Sequence, residues 1–242
     1  MNKNHHAFQL WENGQLNEAV QLLFEEIDRN EENRDSYCNL ASILILAKRY
    51  DDAHAVLETA LKKHQNHADL LYTFGNLYYH KNNPIKALEY YNQVFNGNEK
   101  NLKNDATIMI GQCHLLLNEP KKAMVYLLTA YENDENDTSL NTLLGDCMMQ
   151  TNHFKEAKNY FMKALEQSPD NDEVLFKRGL VGAALKEKPM IFNDFFEKSK
   201  KLNPEKFIKR LHQLKDSEAF VSSQQKSEQA PKKNELNDRK DE

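Results

Sequence analysis

The sequence predicts an all-α fold, a solenoid of stacked helix–turn–helix repeats, and three observations predict it. First, a small residue returns at near-constant intervals. Ala19, Ala53, Ala87, Ala123 and Ala157 lead to Ile191/Phe192, with steps of 34, 34, 36, 34 and about 34 residues. Second, numbering each repeat from 1 to 34 puts four of the seven glycines, Gly75, Gly111, Gly145 and Gly179, at position 8. Third, five of the six prolines (Pro84, Pro120, Pro169, Pro189, Pro204) fall where a helix should start or two repeats should join. A residue with fixed φ and no N–H suits those places.

The repeats span about 1–33, 34–67, 68–101, 104–137, 138–171 and 172–205. In 68–101, Leu71, Phe74 and Tyr78 share one helical face with Gly75; Asn82-Asn83-Pro84 stops the pattern, and Ala87, Tyr91, Val94 and Phe95 carry a second helix. Repeat 34–67 reads the same way through Tyr37, Leu40, Ala41, Leu44, Ala53, Leu57 and Ala60. Repeat 1–33 begins too close to Met1 for a full first helix but keeps Ala7, Gly14, Leu16, Ala19 and Leu23. Two extra residues within 96–104 are expected to lengthen the turn before repeat 104–137. Glycine inside a helix costs about 1 kcal/mol relative to alanine. Its recurrence at position 8 therefore implies close helix approach, expected here to be by the alanine at position 20.

Repeat 172–205 decays. Arg178 takes the apolar position 7, Gly182 takes position 11, and the turn near Glu187–Pro189 carries one residue more. Residues 205–219 form one further amphipathic helix, with Phe207, Ile208, Leu211 and Leu214 on one side, expected to cap the array. The expected solenoid thus covers 1–219. Residues 220–242 are polar with little to bury and are expected to be a disordered tail.

These features resemble the tetratricopeptide repeat (TPR) family over about 1–205. The family's small residue at 8, aromatic or proline at 17, alanine at 20 and proline at 32 are matched by Gly145, Phe154, Ala157 and Pro169. The resemblance implies that first helices line a concave wall, with positions 5, 9 and 12 pointing into it. A polar ladder, Ser42–Asn76–Gln112–Asp146, would then run along the wall beside Tyr72, Tyr79, Leu115 and Met149. Amides both donate to and accept from a peptide backbone, and tyrosines give large contact area at low entropic cost. The expected function is a protein–protein adaptor holding partner segments in that groove, although asparagine at position 9 also serves solubility and helix contacts. A receptor for short signalling peptides is the alternative. The family's basic clamp for acidic chaperone tails needs lysine at position 5; Asn4, Cys38, Tyr72, Ile108, Thr142 and Phe176 stand there instead, so that ligand is not expected.

Composition sets the remaining expectations. The 242 residues carry net charge -5, which does not point to nucleic acid. Residues 198–215 nevertheless hold seven cations against Glu205 alone, a local +6. That stretch leaves open an accessory role beside a nucleic-acid enzyme, but it lacks the aromatic interleaving of an RNA-stacking platform. Cys38, Cys113 and Cys147 lie far apart, as expected of reduced intracellular thiols. No apolar run near Met1 reads as a signal peptide and no stretch is long enough to span a membrane, so a cytoplasmic protein is expected. His64-x-x-His67 straddles a turn without further ligands and reads as solvated rather than as zinc-binding. No nucleophile, phosphate-loop or dinucleotide motif is present, so neither catalysis nor a cofactor is expected.

Overall fold

The computed structural model describes residues 3–65 and 67–228, among which thirteen helices occur. They divide into an N-terminal body, Met1–Gln167, and a C-terminal body, Ser168–Glu242.

The N-terminal body holds α1 (Lys3–Glu12), α2 (Leu16–Arg29), α3 (Arg34–Leu46), α4 (Tyr50–Lys63), α5 (Ala68–His80), α6 (Pro84–Asn96), α7 (Lys100–Leu116), α8 (Pro120–Tyr131), α9 (Thr138–Gln150) and α10 (Phe154–Gln167). They pair as five hairpins, and α2, α4, α6 and α8 each pack on the first helix of the next hairpin. First helices touch their successors directly along α1, α3, α5, α7 and α9, whereas the second helices make no comparable contact with one another. A row packed more tightly on one side bends toward that side, so within this body the first helices form the inner wall. A core runs without a break from Ala7 on α1 to Cys113 on α7.

Each first helix ends in the same way. Position 15 is left-handed in all six repeats: Gly14 at φ 80° and Lys48, Asn82, Asn118, Asn152 and Lys186 at φ between 54° and 62°. The next residue's N–H reaches back to the carbonyl at position 11, from Gln15 to Leu10 (2.8 Å), Arg49 to Leu44 (2.8 Å), Asn83 to Tyr78 (2.9 Å) and onward to Glu187 and Gly182 (3.0 Å). The position-15 N–H bonds the position-12 carbonyl alongside it. This pair of bonds is a Schellman cap, which satisfies the orphan carbonyls and reverses the chain in few residues. Asn83 then accepts from Lys86 N as the N-cap of α6, with Pro84 at the first helical position.

Two expectations need correction. The partner of the small residue at position 8 is the side chain at position 24, not the alanine at 20. A Cβ on Gly75 would lie 2.4 Å from the Tyr91 ring, one on Gly145 2.4 Å from Phe161, and one on Gly111 2.6 Å from Leu127. The alanines at 20 are fully buried, but the atoms nearest each imagined Cβ belong to the side chain at 24; at Gly111 the Ala123 carbonyl follows at 3.5 Å. The extra residues before repeat 104–137 do not lengthen the turn either. They extend α7, which has 17 residues where α3, α5 and α9 have 13.

The C-terminal body contains α11 (Asp172–Ala184), α12 (Pro189–Leu202) and α13 (Pro204–Glu228). The extra residue near Glu187 is real: α12 starts one place late relative to the other second helices, and Phe196 slides into the role of position 24, 2.6 Å from where a Gly179 Cβ would be. Helix α13 packs on α11, to which α12 is tied as well. Phe207 lies edge-on to Phe176 (5.4 Å), Arg210 Nη1 donates to Asp172 Oδ2 (2.6 Å), and buried Ser199 donates to the Asp172 carbonyl (2.6 Å). It runs past Ala219 to Glu228, so residues 220–228, expected to belong to the tail, are helical; the rest of that tail, 229–242, lies outside the described residues.

Candidate functional site on the inner wall

The eight residues expected on the wall sit on four successive first helices: Ser42 on α3; Tyr72, Asn76 and Tyr79 on α5; Gln112 and Leu115 on α7; Asp146 and Met149 on α9. All eight are half-buried. Positions 4 and 8 of the same helices are buried, which is what a 3.6-residue period does to a helix packed on one face.

Hydrogen bonds sort the ladder. Tyr91 O–H donates to Asn76 Oδ1 at 2.7 Å, from beneath the wall. That bond fixes the amide: its oxygen is occupied and its NH2 is left to donate. Tyr72 packs on the same ring at 5.5 Å, so Tyr91 supports both neighbours. Ser42 spends its proton on the Cys38 carbonyl at 2.8 Å, and Thr142 spends its own on Thr138 at 2.8 Å, so both face the wall as acceptors only. Burial pushes the Tyr72 phenol up to about 12, with Asp105 adding to the effect, and raises Tyr79 as well. Both rings therefore keep their protons and remain donors at neutral pH.

Three other expectations change. Ile45, a position-12 residue, is only 3% exposed and offers the wall little. Phe176, aligned with the wall at position 5, is closed off by Phe196 and Phe207. The first repeat, expected to lack a full first helix, has a shorter one of 10 residues that is still in register and adds to the wall: α1 places Phe8 at position 9 and Trp11 at position 12, both half-buried. The signal was present in the distance of each from Gly14, the same as in later repeats from the left-handed residue. Among the described residues no group of three or more metal-ligating side chains occurs, and an Arg34 guanidinium nitrogen sits 2.8 Å from His67 Nδ1. Burial pushes Cys38 up to about 11 and Cys113 and Cys147 up to about 12, so none is a ready thiolate nucleophile. No described helix is long and apolar enough to cross a membrane.

Family models described as tetratricopeptide repeat match residues 10–72, 44–103 and 138–171, together more than half of the chain. The chain belongs to the tetratricopeptide repeat family. This TPR chain is similar to solved structures across most of its length. PilW, a type IV pilus biogenesis factor, aligns with TM-score 0.74 and 16% identity over 84% of this chain and 92% of its own. Pseudomonas aeruginosa PilF aligns with TM-score 0.72 and 14% identity over 84% and 90%. YrrB, described as a TPR protein with an unusual peptide-binding site, is 26% identical with TM-score 0.58 over 80% and 97%. Among curated proteins, none matches the sequence significantly. TPR folds are in general protein–protein interaction modules, and family and neighbours alike are typically non-catalytic scaffolds.

Proposed function

We propose that this TPR chain is an adaptor that holds a segment of another protein or a peptide against the inner wall of its N-terminal body, and that it catalyses no reaction. The observation that carries this reading is the Asn76–Tyr91 bond. It leaves a fixed amide donor on the wall between two half-buried, protonated tyrosines, Tyr72 and Tyr79. A bound segment's carbonyl would take the Asn76 NH2, and its side chains would lie on the tyrosine rings, Leu115 and Met149. Gln112 and Asp146 would set polarity along the groove. Similarity to YrrB, with its peptide-binding site, supports a peptide as the occupant. The three unpaired cysteines support a reducing, cytoplasmic compartment.

Site-specific photo-cross-linking tests the reading. A photoreactive residue replacing Tyr79 should trap a discrete partner in cells. The same group replacing Val125, 64% exposed on a second helix, should not. No adduct at Tyr79, or the same adducts at both places, would refute it.

A further inference from the structure

We propose that the chain associates with a second copy of itself, the lysine-rich surface of α12 and α13 meeting the acidic first hairpin, α1 and α2, of that copy. This does not rest on the groove reading and uses other surfaces. Residues 1–33 carry two cations against seven carboxylates, a net -5, whereas residues 198–215 carry +6. The folded structure sharpens that contrast. Both cations of the first hairpin, Lys3 and Arg29, are spent on the single carboxylate Glu26. Exposed Glu12, Glu18, Asp28 and Glu32 are left without a cation among the described residues. In the C-terminal body, Lys198 pairs with Asp194 and Arg210 with Asp172, while exposed Lys200, Lys201, Lys206 and Lys209 have no carboxylate among the described residues.

Apolar side chains lie among both sets of charges. Phe24 is 46% exposed on α2; Leu202, Ile208 and Leu211 are 45%, 52% and 37% exposed on α12 and α13. Opposite charge steers the encounter and fixes orientation, and the apolar residues supply area to bury. Nucleic acid fits the lysines less well, because Phe207, the aromatic residue of α13 between them, is packed on Phe176 and Phe196 and cannot stack on a base. The acidic surface found on the chain itself matches in charge, and the contact is heterologous: a surface of one copy meets a different surface of the other.

Sedimentation velocity on the full chain, from micromolar to submillimolar protein, tests this at about 0.02 M and about 0.5 M salt. The sedimentation coefficient should rise with concentration at low salt and fall to the monomer value at high salt. Two charge-reversed chains, one with Lys200→Glu, Lys201→Glu, Lys206→Glu and Lys209→Glu, the other with Glu12→Lys, Glu18→Lys, Asp28→Lys and Glu32→Lys, should each be monomeric alone. Mixed, they should associate again, since each presents what the other lacks; that rescue also shows that both are folded. A wild type monomeric throughout at low salt, association that survives either reversal, or a mixture of two helical variants that stays monomeric would overturn the proposal.

Discussion

An aromatic ring at position 24 leaves room only for glycine at position 8. Where a ring stands at 24 (Tyr91, Phe161, Phe196), position 8 is glycine; where leucine stands there, position 8 is alanine in two repeats (Ala7 with Leu23, Ala41 with Leu57) and glycine in one, Gly111 with Leu127. The ring fills the volume that a Cβ would need. Gly145→Ala should therefore lower the melting temperature, because overpacking of about 1–3 kcal/mol outweighs the roughly 1 kcal/mol gained in helix propensity. Adding Phe161→Leu should restore much of the loss, reproducing the pair found at 41 and 57. A double variant that melts no higher than Gly145→Ala alone would contradict the pairing. The glycine periodicity was legible in the sequence, but its partner was not, since positions 20 and 24 both recur and spacing alone does not say which one points at the glycine.

At the scale of the hairpin, the recurring device is the left-handed residue at position 15. Asn82, Asn118 and Asn152 advertise it, as residues that tolerate that conformation; Lys48 and Lys186 hide it. Lys48→Gly should stabilise the protein by about 0.5–1 kcal/mol in denaturant melts, because the strain of a side chain at φ 60° is removed. Gly14→Ala should cost about 1 kcal/mol with no clash at all, since nothing lies within 4 Å of the added Cβ. Opposite signs at the two positions are the test, and equal signs would contradict the assignment. The decayed sixth repeat is a coupled replacement rather than a loss. Arg178, 3% exposed, donates to Glu187 at 3.1 Å and stacks over Phe195 at 4.6 Å, in space that Gly182 leaves open: a Cβ there would fall 2.9 Å from Arg178 Nη1 and 2.8 Å from Glu187 Oε2. Glu187→Ala should destabilise the C-terminal body by about 3–5 kcal/mol, and Arg178→Leu with Glu187→Leu by much less, because removing one partner strands a buried charge. Urea unfolding of the two variants measures the difference. From the sequence, Arg178 and Gly182 read as separate departures because the pairing with Glu187 crosses the turn.

For the molecule as a whole, the helical hairpins and their order were readable because one period governs small residues, prolines and apolar faces together. The wall residues were expected only by resemblance, since periodicity marks Asn76 and Tyr79 as half-exposed without saying what they face. What escaped was what needs contacts: the Tyr91 bond that orients Asn76, the additional turn of α7, and Phe8 with Trp11 on a helix that begins at Lys3. Local charge was legible as a sum but not in its use. Arg210 counts with the surface lysines in the sequence, yet it is half-buried and pins α13 to Asp172.

The central proposal is that guests bind at the inner wall. Affinity capture from native lysate with the wild type and with Asn76→Ala plus Tyr79→Ala, read by mass spectrometry, addresses it most directly. Specific partners should drop out with the double variant while its helical circular dichroism is retained. An unchanged set of captured proteins would contradict it.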